Sequence, residues 1–160
     1  MAVDYGKVRI GLALGSLETG MAHPLTSLAR INRNEDMRRL RELVRLHGIK
    51  QMVVGLPLRL DGTRGEMAEE AERFANRVRK QIGVPVKMVD ERLTSWEAER
   101  LLEEEFGRKR RGEAAVHRKT RIERMSVDAV AAAVILRDYL SAAKSAPQNP
   151  EQCARRETAK

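Results

Sequence analysis

The 160-residue sequence has one cysteine, Cys153, and three histidines that lie far apart: His23, His47 and His117. A single cysteine excludes an internal disulfide and a zinc site built on paired cysteines. Any bound metal is therefore expected to have oxygen ligands. Aromatic residues make up only 3% of the chain, which is too few for a sheet that stacks nucleic-acid bases.

Long apolar runs are also missing, since no window approaches the roughly 18 uncharged apolar residues that a membrane span needs. We therefore expect no membrane partner. Asp4 stands where a secretory signal would have a positive region followed by an apolar stretch. This favours a cytoplasmic protein, and the length suits a single domain.

Positive charge is in excess, with 31 Lys and Arg against 23 Asp and Glu, for a net charge of +8. Most of the excess falls within residues 106–124, where eight basic residues accompany two acidic ones. Such a concentration favours binding to a phosphate backbone, although a solvated loop that only aids solubility is the alternative. The substrate contacts expected from this segment are Arg108, Lys109, Arg110, Arg111, Arg118, Lys119 and Arg121.

Apolar patterning predicts five strands, two of them within residues 2–14 and the others at 21–28, 51–55 and 85–89. Helices are predicted from an Asn34 cap to about residue 47, from a Thr63–Glu66 capping box to about residue 81, from a Thr94–Glu97 capping box to about residue 106, and from about residue 126 to residue 140.

Strands that alternate with helices require a partly parallel sheet, while the opening strands add an antiparallel part. We therefore predict an α/β fold whose mixed five-stranded sheet has helices on both faces. This domain is expected to cover residues 1–144. Residues 145–160 turn to Pro, Gln, Asn, Glu and Arg without periodicity, which predicts a disordered tail.

Three acidic residues stand at the ends of predicted apolar elements: Asp4, Glu91 and Asp128. Each has a structural alternative, namely an Asx turn for Asp4, an ion pair with Arg92 or Arg9 for Glu91, and a helix-terminal acid for Asp128. Together, in a basic protein without Cys or His ligands, they favour an oxygen-ligated site for Mg²⁺ or Mn²⁺. Two such ions suit phosphodiester hydrolysis, so the same three residues are the predicted catalytic residues.

Four segments carry a resemblance to a known family: residues 4–13 (DYGKVRIGLA), 53–63 (VVGLPLRLDGT), 90–95 (DERLTS) and 127–136 (VDAVAAAVIL). In order and spacing they resemble the signature segments of the YqgF/RuvX family, small bacterial proteins described as pre-16S rRNA nucleases and Holliday-junction-resolvase-like proteins. The similarity covers about residues 1–142. The long basic insertion at residues 108–121 departs from the family pattern.

This resemblance implies a ribonuclease-H-like fold and a divalent-metal nuclease that matures the 5′ end of 16S rRNA in the cytoplasm, with the pre-30S ribosomal particle as a partner. It places the family's acidic site on Asp4, Glu91 and Asp128. It also places a loop near that site at residues 55–62, so that Arg59 and Asp61 become candidates for substrate contact. We expect Arg9 and Arg92 to add to these contacts.

Other functions share some of these features. Cleavage of a four-way DNA junction uses the same chemistry, and a non-catalytic nucleic-acid-binding factor for ribosome assembly would keep the fold without turnover. The Asp4-x-Gly6 opening is also similar to the phosphate-binding segment of actin-like ATPases. Those proteins need two such domains, which this chain is too short to contain.

Overall fold

The computed structural model describes residues 1–59, 61–91 and 127–145. These residues form five strands and three helices: β1 (Ala2–Tyr5), β2 (Arg9–Gly15), β3 (Ala22–Ala29), α1 (Arg33–Leu46), β4 (Met52–Leu56), α2 (Glu66–Ile82), β5 (Val86–Asp90) and α3 (Val127–Ser145). None of these helices is both long and apolar enough to cross a membrane.

The strands form one sheet in the order β3-β2-β1-β4-β5. The β1–β2 and β2–β3 pairs are antiparallel, whereas the β1–β4 and β4–β5 pairs are parallel. The predicted mixed five-stranded sheet is therefore confirmed, and β1 lies at its centre, where the antiparallel and parallel parts meet.

Alternation along β1 divides the core into two parts, one on each face of the sheet. Val3 and Tyr5 belong to a large cluster that contains Phe74 of α2 and Leu40 of α1. Ala2 belongs to a second cluster, built mainly of small and branched residues of α3 and the sheet. Helices thus cover both faces, as predicted, and Asp4 shares the face of Ala2 that α3 covers.

The two predicted helix caps before α1 and α2 are wrong. The cap of α1 is Asn32, whose Oδ1 accepts hydrogen bonds from the backbone N–H groups of Asn34 and Glu35 at 3.1 and 2.9 Å. Gly65 precedes α2 and provides no side-chain cap. Thr63 instead donates its backbone N–H and its hydroxyl to Asp61 Oδ1 at 2.8 and 2.6 Å. Thr63, which the capping box required, therefore belongs to a local turn at Asp61.

The predicted boundary of the tail is one residue too early. Ser145 is the last residue of α3, and its hydroxyl donates a hydrogen bond to the carbonyl oxygen of Ser141 at 3.0 Å. The rest of the predicted tail, residues 146–160, lies outside the described residues. The same holds for the helix predicted at residues 94–106 and for the predicted start of the last helix at Ser126.

The two asparagines near the start of α1 provide a test of the cap. We expect Asn32→Ala to lower the free energy of unfolding by about 1 kcal/mol, because two N–H groups lose their acceptor. Asn34→Ala is the matched control, since Asn34 is exposed and lies inside the helix. Urea denaturation of both variants measures the difference. A larger loss for Asn34→Ala would contradict the assignment of the cap.

Candidate active site

Asp4 has a glycine beside it on each neighbouring strand. On the antiparallel side it pairs with Gly11 of β2. On the parallel side Val3 pairs with Val54, so that Gly55 of β4 is the next residue along from that pair. Glycines in the interior of a strand often mark a close approach of other atoms. Because these two glycines have no side chain, atoms of other residues can approach Asp4 from both sides.

The space at Gly11 is filled by the first turn of α3. A Cβ atom on Gly11 would collide with the carbonyl oxygen of Asp128 and would lie 2.9 Å from the Asp128 Cβ atom. The backbone of α3 contacts β2 directly here, so Asp128 lies against Gly11, the residue that pairs with Asp4.

The space at Gly55 is filled by the carboxylate of Glu91, the residue that follows β5. A Cβ atom on Gly55 would collide with Glu91 Oε1 and would lie 2.7 Å from the Glu91 Cδ atom. The two glycines thus admit one acidic side chain on each side of Asp4. The structure brings together the three acids that the sequence analysis singled out.

The pKa values of Asp4 and Glu91 reflect the burial and the closeness of these carboxylates. Burial raises the pKa of Asp4 to about 6, and the negative charge of Asp128 adds to the effect. Burial also raises the pKa of Glu91 to about 7, with further contributions from the charges of Asp4 and Asp90. Asp4 therefore interacts with both of the other acids.

The carboxylate of Asp128 has two partners on one of its oxygens. Ser27 of β3 donates its hydroxyl to Asp128 Oδ2 at 2.9 Å. The Arg9 guanidinium approaches the same oxygen at 3.9 Å. Both contacts fix the orientation of the carboxylate. The sequence suggests Arg9 as an alternative partner of Glu91, but among the described residues its ion pair is with Asp128.

Ser27 is a residue of this site that sequence reasoning missed. It lies opposite Gly11 in the β2–β3 register, in line with Gly11 and Asp4 across the sheet. The predicted third strand already contained it. The missing information was the register, because a shift by one residue would have turned its hydroxyl to the other face of the sheet.

The donor set of this site fits a hard divalent cation, since it consists of three partly buried carboxylates. Within residues 1–59, 61–91 and 127–145, no group of three or more His, Cys, Asp or Glu side chains is already arranged to hold a metal ion. Like charges repel, so closure of three carboxylates on one point needs a cation between them. The assignment of Asp4, Glu91 and Asp128 as metal ligands remains a prediction.

The loop after β4 lies at the same edge of the sheet as Glu91, because β4 and β5 are parallel and both end there. Leu58 and Arg64 form a bridge across this loop, and Arg59 and Asp61 are exposed within it. Substrate contact by Arg59 remains a prediction. The other basic residues predicted to bind substrate lie outside the described residues: Arg92, Arg108, Lys109, Arg110, Arg111, Arg118, Lys119 and Arg121.

A family model described as "RuvX: Holliday junction resolvase" matches residues 1–142 of this sequence. The chain belongs to the RuvX family. The family resemblance predicted from four motifs is thereby confirmed. RuvX relatives named "Putative pre-16S rRNA nuclease" include a protein of Anaeromyxobacter dehalogenans, 42% identical over 88% of this chain and 94% of its own length. Another, from Chloroflexus aurantiacus, is 37% identical over 95% of this chain and 92% of its own length.

Solved structures of RuvC from Thermus thermophilus share the fold of this RuvX chain. One is 15% identical, with a TM-score of 0.51 over 89% of this chain and 93% of that chain. Another, described as RuvC in complex with Holliday junction substrate, is 17% identical, with a TM-score of 0.50 over 90% and 94% of the two chains. The predicted ribonuclease-H-like fold is confirmed, and family membership supports the hydrolytic nuclease class.

The two glycines beside Asp4 predict different failures when each is replaced. In Gly55→Ala the added methyl group meets the end of the Glu91 side chain, which can turn away. We therefore expect this variant to fold but to lose activity, because the Glu91 carboxylate is displaced. In Gly11→Ala the methyl group meets the backbone of α3, so we expect a lower melting temperature as well. Thermal denaturation and a nuclease assay measure both effects. An active, fully stable Gly11→Ala variant would contradict the close packing of α3.

The raised pKa values predict how stability depends on pH. The ordinary values are 3.8 for Asp4 and 4.5 for Glu91, against about 6 and about 7 in the folded chain. As pH rises through this interval, the unfolded chain releases its protons first, so the contribution of both groups to stability is progressively lost. We expect the melting temperature of the metal-free protein to fall between about pH 4 and pH 7 and Mn²⁺ to raise it again above that range.

Two variants, each with a different carboxylate replaced, provide the controls for this pH effect. Asp4→Asn removes one of the titrating groups and also the charge that raises the pKa of Glu91, so its melting temperature should depend less on pH and should not respond to Mn²⁺. Asp138→Asn, elsewhere on α3, should behave like the natural protein. If all three proteins gave the same pH profile, the coupling between the acids would be disproved.

Proposed function

We propose that this RuvX-family protein is a divalent-metal-dependent nuclease that hydrolyses phosphodiester bonds in RNA during maturation of the 5′ end of 16S rRNA. The observation that carries the proposal is the approach of Asp128 and Glu91 to Asp4 across Gly11 and Gly55. The name shared by the relatives supports rRNA as the substrate.

In this mechanism Asp4, Glu91 and Asp128 would hold Mg²⁺ or Mn²⁺, which when bound polarises the scissile phosphate and activates water. Asp4 is fixed by its place on the central strand. Ser27 and Arg9 hold one oxygen of Asp128, which leaves the other available as a ligand. Such partners of ligating carboxylates determine ligand orientation and basicity.

Protonation of the same carboxylates would limit the enzyme at low pH. With pKa values of about 6 and about 7, Asp4 and Glu91 carry protons in mildly acidic solution before a cation is bound. A protonated carboxyl is a poor ligand for a hard cation, so metal binding must displace these protons. Activity at low metal concentration is therefore expected to rise with pH across this range.

The positive charge of the chain supports a polyanionic substrate. Arg9 and Arg59 are exposed beside the carboxylates and at the adjacent loop, respectively. Exposed guanidinium groups at the edge of a nuclease site can bind the phosphates that flank the scissile bond. We further propose a cytoplasmic location and action on the pre-30S particle, which follow from the substrate and not from any contact in the structure.

Four-way DNA junctions are the second candidate substrate. The descriptions of the family model and of one RuvC complex both name the Holliday junction. The relatives at 37 to 42% identity carry the rRNA name instead, and they are far closer in sequence than RuvC. Cleavage assays on a pre-16S rRNA fragment and on a synthetic junction, under the same conditions, distinguish the two.

Asp4→Asn provides the decisive test of metal-dependent catalysis. We expect this variant to lose at least about 100-fold in Mg²⁺- or Mn²⁺-dependent cleavage of end-labelled precursor RNA. Loss of a residue that only hydrogen-bonds to a metal ligand already lowers activity by about 10- to 100-fold, and loss of the ligand itself should lower it at least as much. Asp138→Asn is the matched control on α3, where Asp138 pairs with the adjacent Arg137.

Two results would contradict the proposal. Cleavage that is undiminished in Asp4→Asn would remove this residue from the catalytic centre. Salt-sensitive RNA binding without any metal-dependent cleavage by the natural protein would instead favour the non-catalytic assembly factor.

A further inference from the structure

A second polar site lies on the opposite face of the sheet, beside the turn between β1 and β2. It is a cavity of about 250 Å³. Five basic side chains from the turn, the β3–α1 connection and both helices of this face line it: Lys7, Arg30, Arg33, Arg73 and Arg77. We name this cavity the basic pocket. None of the described residues that line it is Asp4, Glu91 or Asp128.

The wall of the basic pocket that faces the sheet is preorganised. Arg30 lies over the ring of Tyr5, with its guanidinium carbon 4.7 Å from the ring centroid. Its Nη1 donates to the carbonyl oxygens of Gly6 and Lys7, both at 3.2 Å. Its Nε donates to Asp36 at 3.3 Å, and Asp36 is only 4% exposed. These contacts hold Arg30 in one position without a bound ligand.

Three of the five basic side chains already have acidic partners. Besides the Arg30–Asp36 pair, Lys7 lies 3.5 Å from Glu66, and Arg73 lies 3.3 Å from Glu69. The Lys7 and Arg73 pairs are exposed, and such pairs contribute little free energy and exchange readily.

The remaining two cations carry the unbalanced charge of the pocket. Arg33 and Arg77 have no ion-pair partner within the described part of the chain. Among the described residues that line the cavity, Glu70 is the only acidic one. The described lining therefore has two positive charges without an ion-pair partner against one negative charge, which leaves capacity for an additional anion.

Guanidinium groups that converge on a small cavity match the geometry of a phosphate, which accepts two parallel hydrogen bonds from each arginine. The pocket also lies close to the candidate active site through the backbone. Tyr5 follows Asp4 directly in β1, and successive side chains of a strand point to opposite faces. A nucleic-acid strand that passes over the β1–β2 turn would present one phosphate to the carboxylates and another to the basic pocket.

We propose that the basic pocket binds a phosphate group of the nucleic-acid strand away from the scissile bond, with Arg33 and Arg77 as its principal ligands. The proposal rests on the proposed nucleic-acid substrate but not on its cleavage. The phosphate comes either from the 5′ end of the strand or from an internal phosphodiester, and both present anionic oxygens to the same guanidinium groups.

The test compares two double variants of the full chain that lose equal charge. Arg33→Ala/Arg77→Ala removes the two unbalanced cations of the pocket. Arg45→Ala/Lys80→Ala removes one exposed cation from each of the same helices outside it. Binding of a short fluorescent single-stranded RNA is measured by anisotropy in EDTA, so that no cleavage occurs, over a series of salt concentrations.

We expect the Kd of Arg33→Ala/Arg77→Ala to rise about tenfold, since charge-assisted hydrogen bonds to a phosphate are lost. Its salt dependence should become shallower by about 0.7 in log–log slope for each phosphate contact removed. Arg45→Ala/Lys80→Ala should retain the natural Kd and slope. An unchanged Kd in the pocket variant, or equal losses in both variants, would overturn the proposal.

A third variant and a second RNA keep the result interpretable. Arg33→Lys/Arg77→Lys retains both charges without the planar guanidinium, so it should fold like the natural protein and bind with an intermediate Kd. RNA with and without a 5′-phosphate distinguishes the two sources. A preference for the phosphorylated end that the pocket variant loses assigns the terminal phosphate, whereas equal losses on both RNAs assign an internal one.

Failure of this inference and failure of the proposed function give different results. If pocket-dependent binding occurs but the natural protein cleaves nothing with Mg²⁺ or Mn²⁺, only the nuclease proposal fails. If Asp4-dependent cleavage occurs while the pocket variant binds RNA normally, only the basic pocket loses its role.

Discussion

Asp4 sets the main constraint on this site, because its carboxylate is partly buried on the central strand and is also repelled by two acidic neighbours. A carboxylate on the central strand, partly withdrawn from water and flanked by Asp128 and Glu91, is unfavourable for the folded chain. The arrangement persists because the sheet and α3 determine where these residues lie, and the contacts of Ser27 and Arg9 offset part of the charge at Asp128. A site that is unfavourable by itself and becomes favourable with a divalent cation is suited to a metal-dependent enzyme.

The strand that carries Asp4 also separates two chemically opposite regions. One face of β1 directs Asp4 towards α3 and the acids, and the other directs Tyr5 towards Phe74, with 4.7 Å between ring centroids, and towards Arg30. Arg30 also binds the two carbonyl groups of the turn that follows. The backbone just beyond Asp4 is thus held by the partly buried Arg30–Asp36 pair on the other face. Rigidity at the carboxylates therefore depends partly on residues that never contact them, as supporting interactions in functional sites often do.

Several features were predictable from sequence because they depend on local pattern. The five strands, the placement of helices on both faces of the sheet and the three acids at element ends all follow from periodicity and position. The cap of α1 was misplaced because Asn32 and Asn34 are chemically equal candidates, and only the geometry of the first turn separates them. Ser27, the Arg9–Asp128 contact and the basic pocket could not be predicted, since they depend on strand register and on side chains distant in sequence.

The unequal size of side chains on the two faces of the sheet follows from the same constraint. Glycine inside a strand destabilises it by roughly 0.5–1 kcal/mol relative to alanine, and two such glycines flank Asp4. The face of α3 that contains Ala132, Ala133 and Ile135 approaches the sheet closely, so that Asp128 lies against Gly11. The two alanines bury less apolar area than large residues would. The bulky core around Phe74, Met37 and Leu40 lies on the other face, under α1 and α2. Larger apolar side chains stabilise a fold in proportion to the area they remove from water. Stability is thus concentrated on the face without the carboxylates, and this leaves the α3 face free to keep small residues where the acids must meet.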